Sequence, residues 1–218
     1  MTRASGAVAW WTSTYYLKPI ARIATRARGY GLERIPLTGG CVLAINHIHW
    51  IDIPVVGAVT PRRISFVAKI EALRFPGFGR YIAWYGTIGI RRGETDRDAV
   101  RQMRAAAREG RALGVFVEGT RQHSGRPGPA QPGAAMISIQ EGVPVVPIAV
   151  YGTQFWRIGN FAPCSIAVGE PVHYDGLPKG GRGYKEATAD IERRILTLFD
   201  WLADVHRRGR PKGLTPPV

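Results

Sequence analysis

A histidine and an aspartate five positions apart follow an apolar run, and this pair could carry acid–base chemistry. His47 and Asp52 belong to NHIHWID, residues 46–52, directly behind CVLAI. If a strand ends near Ile45 and a helix begins near Asp52, with Pro54 in its first turn, the loop between them presents His47 outward. Asp52 then lies about one turn away and can bond one imidazole nitrogen, which leaves the other nitrogen to take a proton. The pair predicts a general base oriented by a carboxylate.

The nucleophile for such a base is expected to come from a substrate. No serine or cysteine stands beside His47, and the sequence contains no GxSxG motif, which marks the nucleophile in one large class of hydrolases. A substrate hydroxyl is therefore the expected nucleophile. Taken alone, the spacing is explained more simply by a structural histidine and a capping aspartate, so the assignment depends on other stretches.

A second stretch, FVEGTRQ at residues 116–122, supplies groups suited to binding phosphate. An apolar run leads into Glu118, Gly119, Thr120 and Arg121. The glycine permits close approach of the backbone, and the arginine can donate two parallel hydrogen bonds to a phosphate.

Further strands are expected to end in cations or to contain proline. Lys69 and Arg92 close two of these expected strands, and ligands of α/β folds bind at such strand ends. In EGVPVVPIAV, Pro144 and Pro147 confine the strand to a sheet edge or bend the backbone beside a site.

In this order and spacing, the four stretches resemble the glycerolipid acyltransferase family, whose best-known members are 1-acyl-sn-glycerol-3-phosphate acyltransferases. The resemblance runs from about Tyr30 to Gly169. It implies that His47 and Asp52 are a catalytic dyad and that Asn46 belongs to the same signature.

The resemblance also implies a phosphate site and supporting residues. Pro147 matches the proline of the fourth stretch. The residues that the resemblance assigns to the phosphate and headgroup are Lys69, Arg92, Glu118, Gly119, Thr120 and Arg121.

The reaction implied by the resemblance belongs to phospholipid synthesis. An acyl group would pass from acyl-CoA or an acyl-acyl carrier protein to the free hydroxyl of 1-acyl-sn-glycerol-3-phosphate (lysophosphatidic acid), giving phosphatidic acid. His47 would remove the hydroxyl proton as the oxygen attacks the thioester carbonyl, and Asp52 would stabilise the imidazolium. No bound cofactor and no metal are expected.

Departures from the family pattern leave the acceptor open. His49 stands where a small or polar residue is usual, and Arg91 replaces a frequent acid beside Arg92. Val117 and Gln122 stand where proline and serine are usual. Glycerol-3-phosphate, another lysophospholipid or an acylated glycoside therefore stay as alternative acceptors, because such motifs report the reaction better than the substrate.

Short β-branched runs alternate with helical patterns around these residues. The expected strands are 41–45, 63–69, 87–91, 113–117, 145–150 and 165–169. The expected helices lie near 53–59, 74–84, 96–109, 134–141 and 185–206. This alternation predicts a single α/β domain with a mixed, mostly parallel central sheet flanked by helices. The aromatic and glycine-rich segment 74–86 could line a groove for an acyl chain or simply pack in the core.

Three regions are expected along the chain: residues 1–29, the acyltransferase domain 30–206 and a flexible basic tail 207–218. The first is uncharged from Ala4 to Leu17, which is shorter than the ~20 apolar residues of a spanning helix. Its tryptophans and tyrosines, followed by cations, predict a segment lying in a membrane interface. A core-packed helix with a basic outer face is the alternative.

The formal net charge is +14 and predicts an anionic partner. We expect a peripheral or monotopic protein at the cytoplasmic face of the cell membrane, in contact with anionic lipid, lysophosphatidic acid and acyl-CoA or acyl carrier protein. Nucleic acid is a rival suggested by charge alone, and because no recognised binding motif is present we do not expect it.

A metal-dependent hydrolase is a further rival, because His47, His49 and Asp52 resemble the start of a histidine-rich metal site. The other histidines are His123, His173 and His206, and none of them stands in a paired ligand spacing.

Overall fold

A sheet of seven strands runs through the described part of the chain, residues 3–91 and 96–218 of a computed structural model. The strands are β1 (Arg28–Tyr30), β2 (Cys41–Ile45), β3 (Ile64–Lys69), β4 (Ile88–Ile90), β5 (Ala112–Phe116), β6 (Val145–Tyr151) and β7 (Ser165–Val168). They lie in the order β1-β7-β6-β2-β5-β3-β4. Neighbours are parallel except β6 and β7. The predicted mixed, mostly parallel sheet is confirmed.

Helices flank this sheet on both faces. They are α1 (Arg3–Thr12), α2 (Lys18–Thr25), α3 (Asp52–Val59), α4 (Ile70–Arg74), α5 (Phe78–Tyr85), α6 (Arg97–Arg108), α7 (Gly133–Glu141) and α8 (Gly181–Arg207), and a π-helical turn, Ser13–Leu17, joins α1 to α2. The helix expected near 74–84 is present as α5 but begins later than predicted, because α4 ends at Arg74 and α5 begins at Phe78. Pro76 disfavours continued helix before it, and Gly77 has a φ of 72°.

Strand β2 shows why an unbroken apolar run forms a central strand here. All of its residues are buried. Cys41, Leu43 and Ile45 pack in the core beneath α3, whereas Val42 and Ala44 pack against residues of α6 and α7 on the other face. Alternate side chains of a strand point to opposite faces, so a sheet covered on both sides requires apolar residues at every position.

Strand β6 lies inside the sheet, and the expectation that its prolines confine it to an edge is wrong. It pairs with β2 on one side and with β7 on the other. The carbonyl of Pro147 accepts a hydrogen bond from Gly169 N at 2.9 Å, so its missing N–H faces the β7 side. There it stands opposite Gly169, directly after the last regular pair, Ile148–Val168, so only the one N–H bond that proline cannot donate is missing from the ladder.

The basic segment after α8 was expected to be flexible, but in the structure it lies along β1. Tyr30 Oη donates to Pro211 O at 3.1 Å, and Arg34 Nη2 donates to Pro216 O at 3.1 Å. Arg210 is buried and donates from Nη2 to Cys164 O at 3.0 Å. These side-chain bonds hold the segment against the edge strand, which its Gly- and Pro-rich composition does not indicate.

The N-terminal helices pack on the domain through one face and expose the other. Tyr81 Oη of α5 donates to Ala9 O at 3.1 Å, and Lys18 Nζ donates to Thr60 O at 3.1 Å. Large exposed side chains on the opposite face are Val8, Trp11, Tyr15, Tyr16, Ile20 and Ile23. No helix within residues 3–91 and 96–218 combines the length and apolarity that crossing a bilayer requires.

Candidate active site

The loops that follow β2 and β5 meet at one edge of the sheet because these strands are parallel neighbours. Val117 N donates to Ile45 O at 2.9 Å, and Gln122 N donates to His47 O at 2.8 Å. The carboxyl ends of neighbouring parallel strands form the usual ligand crevice of α/β folds. The sequence stretches NHIHWID and FVEGTRQ are therefore brought into direct contact.

His47 and Asp52 form a hydrogen-bonded pair at this edge. His47 Nδ1 lies 2.8 Å from Asp52 Oδ2. Because a carboxylate only accepts hydrogen bonds, Nδ1 carries the proton and Nε2 of a neutral ring is left as an acceptor. The structure thus brings together the two residues that the sequence analysis placed in a dyad.

Asp52 also shapes the loop in which His47 lies. Its side chain is fully buried, and Oδ2 accepts hydrogen bonds from Ile48 N at 2.7 Å and His49 N at 2.8 Å. Asp52 is the first residue of α3, where a carboxylate interacts favourably with the helix dipole. One carboxylate therefore orients the imidazole and folds the backbone between the two residues.

Asn46 fastens the beginning of this loop to β6. Its Nδ2 donates to Val150 O at 3.1 Å, and its Oδ1 accepts from Val150 N at 2.7 Å. Both bonds are buried. Strand β2 ends at Ile45, and beyond it the Asn46 side chain pairs with the Val150 backbone in place of a neighbouring strand. These two bonds fix the position of the next residue, His47, relative to the sheet.

A cleft of about 470 Å³ opens at this edge and includes His47 in its wall. Lys69, Gly119 and Arg121 line the same cleft. The imidazole and two of the predicted cations therefore face one space. The His47 ring is mostly buried and stacks on Phe116, with ring centroids 4.1 Å apart.

The other walls of the cleft are largely apolar. They come from β3, β4, β5, α3, α6 and α7 and include Val67, Val100, Met103, Val115 and Met136. The segment 74–86, considered above as a groove for an acyl chain, contributes no lining residue. Its helix α5 packs on α1 instead, with the Trp10 and Tyr85 ring centroids 6.1 Å apart. The sequence analysis missed these walls. The helical spacing of Val100 and Met103 indicates an apolar face on α6, but the same spacing is equally typical of core packing.

Glu118 and Thr120 do not line this cleft. The Glu118 side chain is buried, and its Oε2 accepts a hydrogen bond from His47 N at 2.9 Å, while Oε1 has no partner among the described residues. Burial raises the pKa of Glu118 to about 7. Thr120 is exposed, and Gly119 has a φ of 69°, a conformation that favours glycine and turns the chain toward Arg121.

The raised pKa of Glu118 predicts a specific dependence of stability on pH. An unfolded glutamate ionises near its ordinary value, so between about pH 4.5 and pH 7 the folded protein binds more protons than the unfolded one. The free energy of unfolding should therefore fall as the pH rises through this range. In urea unfolding, the free energy of unfolding of the wild type should fall between these two pH values by about 3 kcal/mol more than that of Glu118→Gln. Glu109→Gln, at an exposed position, is the control, and equal pH slopes for wild type and Glu118→Gln would contradict the prediction.

Two predicted residues remain, Arg92 and Pro147. Arg92 is outside the described residues. Pro147 lies within β6 and does not line the cleft. Within residues 3–91 and 96–218, no group of three or more His, Cys, Asp or Glu side chains is placed to share a metal ion.

The chain is similar to known acyltransferases in sequence. A family model described as Acyltransferase matches residues 26–151. The 1-acyl-sn-glycerol-3-phosphate acyltransferase of Bacillus subtilis (strain 168) is 25% identical over 187 residues, covering 84% of this chain and 92% of that protein. The lyso-ornithine lipid O-acyltransferase of Brucella abortus (strain 2308) is 32% identical over 186 residues, covering 80% of this chain and 69% of that protein.

A solved structure shares the fold. The crystal structure of the 1-acyl-sn-glycerophosphate acyltransferase from Thermotoga maritima aligns with a TM-score of 0.67 and 23% sequence identity. The alignment covers 96% of this chain and 90% of that chain.

Proposed function

This chain belongs to the acyltransferase family, and we propose that it transfers a fatty acyl group from an acyl thioester to the free hydroxyl of 1-acyl-sn-glycerol-3-phosphate. The product is phosphatidic acid. One observation carries the proposal: the imidazole of His47, oriented by Asp52, faces the same cleft as Arg121 and Lys69. An acceptor anchored by its phosphate can therefore present its hydroxyl to a base.

His47 acts as the general base in the proposed mechanism. Its Nε2 takes the proton of the acceptor hydroxyl while that oxygen attacks the thioester carbonyl carbon, giving a tetrahedral oxyanion and an imidazolium. Asp52 stabilises the imidazolium through the 2.8 Å contact with Nδ1. Collapse of the oxyanion breaks the C–S bond, and the departing thiolate takes the proton back from the imidazolium. The neutral base is thereby restored.

The cleft offers different surroundings to the phosphate and to the fatty acyl chain of a substrate. Arg121 and Lys69 supply positive charge for the phosphate, and Arg121 can donate parallel hydrogen bonds to it. The apolar side chains of α6 and α7 suit a fatty acyl chain. Fixing both substrates beside His47 contributes to the rate as well as to binding.

Glu118 is assigned to positioning and not to the headgroup. Its buried carboxylate accepts a hydrogen bond from the backbone N–H of His47, so it helps to fix the position of the base. Arg92 and Thr120 stay assigned to the phosphate and headgroup by resemblance alone.

The N-terminal surface is proposed to hold the protein on the membrane that contains its acceptor. Trp11, Tyr15 and Tyr16 are more than half exposed, and aromatic side chains of this kind favour the headgroup layer. The net charge of +14 favours anionic lipid. We place the protein at the cytoplasmic face of the cell membrane, where acyl-CoA or acyl carrier protein delivers the acyl group.

An acceptor-by-donor panel with purified protein in bilayer discs tests the function. The acceptors are lysophosphatidic acid, glycerol-3-phosphate, a neutral lysophospholipid and lyso-ornithine lipid, the last because the Brucella relative is named for it. The donors are acyl-CoA and acyl-acyl carrier protein. We expect acylation of lysophosphatidic acid to exceed that of the others with at least one donor. Acylation of lyso-ornithine lipid alone, or of none, would overturn the proposal.

Replacing Arg121 with alanine is expected to raise the KM for lysophosphatidic acid by about 10- to 100-fold, because a hydrogen bond to a charged group contributes about 1.5–3 kcal/mol. Arg126→Ala is the matched control, since Arg126 pairs with Asp200 at 2.8 Å and does not line the cleft. A kinetic titration of the acceptor at saturating donor measures the effect. An unchanged KM in Arg121→Ala would remove Arg121 from the phosphate site.

A further inference from the structure

The loop between β6 and β7, residues 152–164, carries large apolar side chains in solvent. Phe155 is 59% exposed, Ile158 is 86% exposed and Phe161 is 52% exposed. These residues follow one another closely and are far from the N-terminal helices in sequence. Exposed apolar side chains grouped in this way usually mark an interaction surface.

The 152–164 loop is held in shape by hydrogen bonds within itself. Asn160 Oδ1 accepts from Arg157 N at 2.9 Å and from Ala162 N at 3.0 Å, and Asn160 Nδ2 donates to Phe155 O at 2.9 Å. Phe161 adopts a φ of 47°, which is costly for a bulky residue. The loop therefore satisfies much of its own backbone while it exposes its apolar side chains, as a segment entering a lipid layer must.

The loop lies at the same edge of the sheet as His47. Strand β6 is parallel to β2, so both lead into loops at this edge. The ring centroids of Trp156 and Trp50 are 5.7 Å apart, and Trp50 lines the cleft and is half exposed. The surface around the loop therefore adjoins the entrance to the proposed catalytic cleft.

The loop is also joined to α2. Trp156 Nε1 donates to Ala24 O at 3.0 Å, and Cys164 N donates to Thr25 O at 2.9 Å. On α2, Ile20 and Ile23 are 62% and 73% exposed. The apolar face of the N-terminal helices thus adjoins the loop.

The charges around this surface indicate an anionic lipid partner. Residues 152–164 contain no aspartate or glutamate and include Arg157. Arg22 and Arg26 are exposed near the end of α2. Apolar side chains bordered by arginines match the acyl boundary and the anionic headgroups of a bilayer.

We propose that the 152–164 loop is a second membrane contact, which inserts Phe155, Ile158 and Phe161 into the headgroup layer of an anionic bilayer. Together with α2, it holds the entrance of the cleft against the membrane, so the acceptor lipid reaches His47 without crossing water. This benefit to catalysis rests on the proposed function, whereas membrane insertion of the loop does not.

A fluorescent label at Ile158→Cys tests insertion directly. The native Cys41 and Cys164 are both buried, so an environment-sensitive dye reacts at the introduced thiol. Thr38→Cys is the control, because Thr38 is exposed and precedes β2 at the opposite edge of the sheet. On adding vesicles of phosphatidylglycerol and phosphatidylethanolamine, the emission at position 158 should shift to the blue and that at position 38 should not. A label at 158 that stays in water while the protein sediments with vesicles would overturn the proposal.

A charged substitution tests the contribution of the loop to binding. Ile158→Asp should weaken partition into these vesicles by about tenfold or more, because the variant lacks the apolar side chain whose transfer out of water favours binding. Leu37→Asp is the matched control, since Leu37 is 68% exposed and also precedes β2. Acylation of lysophosphatidic acid in vesicles should fall with Ile158→Asp, whereas acylation of a short-chain soluble analogue should not. Equal effects of the two substitutions on partition would contradict a specific contact.

Two further outcomes separate the alternatives. Self-association of the wild type without vesicles, lost in Ile158→Asp, would assign the loop to a second copy of the chain and overturn the membrane contact. A wild type that transfers no acyl group would end the proposed function, but it would leave the fluorescence and partition results intact.

Discussion

Replacing His47 with alanine is expected to lower kcat by about 10²- to 10⁴-fold, the usual contribution of a positioned base. The imidazole is the group in the cleft wall with an acceptor nitrogen oriented by a carboxylate. Without it the acceptor hydroxyl must attack before it loses its proton. Initial rates with lysophosphatidic acid and a saturating acyl thioester measure the effect.

The result is informative only if the variant keeps its fold. His47 stacks on Phe116, so truncation removes some packing as well as the base. His47→Gln retains more of the side-chain volume and also lacks the base, and it should lose activity to the same extent. Thermal unfolding of both variants gives the control, and near-normal turnover in either folded variant would exclude His47 as the base.

Replacing Asp52 with asparagine is expected to lower both activity and stability. The buried Oδ2 accepts from the His47 ring, Ile48 N and His49 N, and an amide presents a weaker acceptor and a competing N–H₂ group. We expect kcat to fall by about 10²-fold or more, because the imidazolium loses its counter-charge and Nδ1 its fixed proton. The free energy of unfolding should fall by about 2–4 kcal/mol, since a buried charged acceptor is removed from several donors.

Two measurements on the same preparation check the Asp52 result. Urea unfolding gives the loss of stability, and the pH dependence of kcat reports whether the base is altered. Asp98→Asn is the control, because Asp98 forms an exposed pair with Arg101 at 2.8 Å, and such pairs contribute little. An Asp52→Asn protein that is less stable but retains its turnover would restrict Asp52 to folding the loop.

The local pattern of the chain was sufficient to predict most of the sheet. The run CVLAI and the stretch 113–117 are apolar at successive positions because both faces of their strands are covered. Their ends place His47 and Arg121 at one edge, as parallel pairing requires. The short basic strand Arg28–Tyr30 was missed, because its pairing depends on β7 and not on a pattern of its own.

Other features depend on tertiary contacts that no local pattern records. Glu118 belongs to a motif associated with the headgroup, yet its carboxylate is buried and bonds the backbone N–H of His47. This contact depends on the packing of two loops, which the local sequence does not indicate. Pro147 fits an interior strand because it lies where the regular register of β6 with β7 ends, so the sheet loses only one N–H donor there. The apolar walls from α6 and α7 were missed for the same reason, since spacing alone does not separate a cleft wall from a core.

The loop from His47 to Asp52 keeps its shape through bonds from backbone N–H groups to a buried carboxylate. Ile48 and Ile51 are buried, whereas His49 is partly exposed and Trp50 is half exposed. The hydrogen bonds that hold Asp52 in place thus come from the backbone of the loop and not from the side chains at positions 49 and 50. These two positions are therefore suitable targets for randomised libraries that seek new acceptor preferences, because other side chains there keep the backbone donors that Asp52 requires.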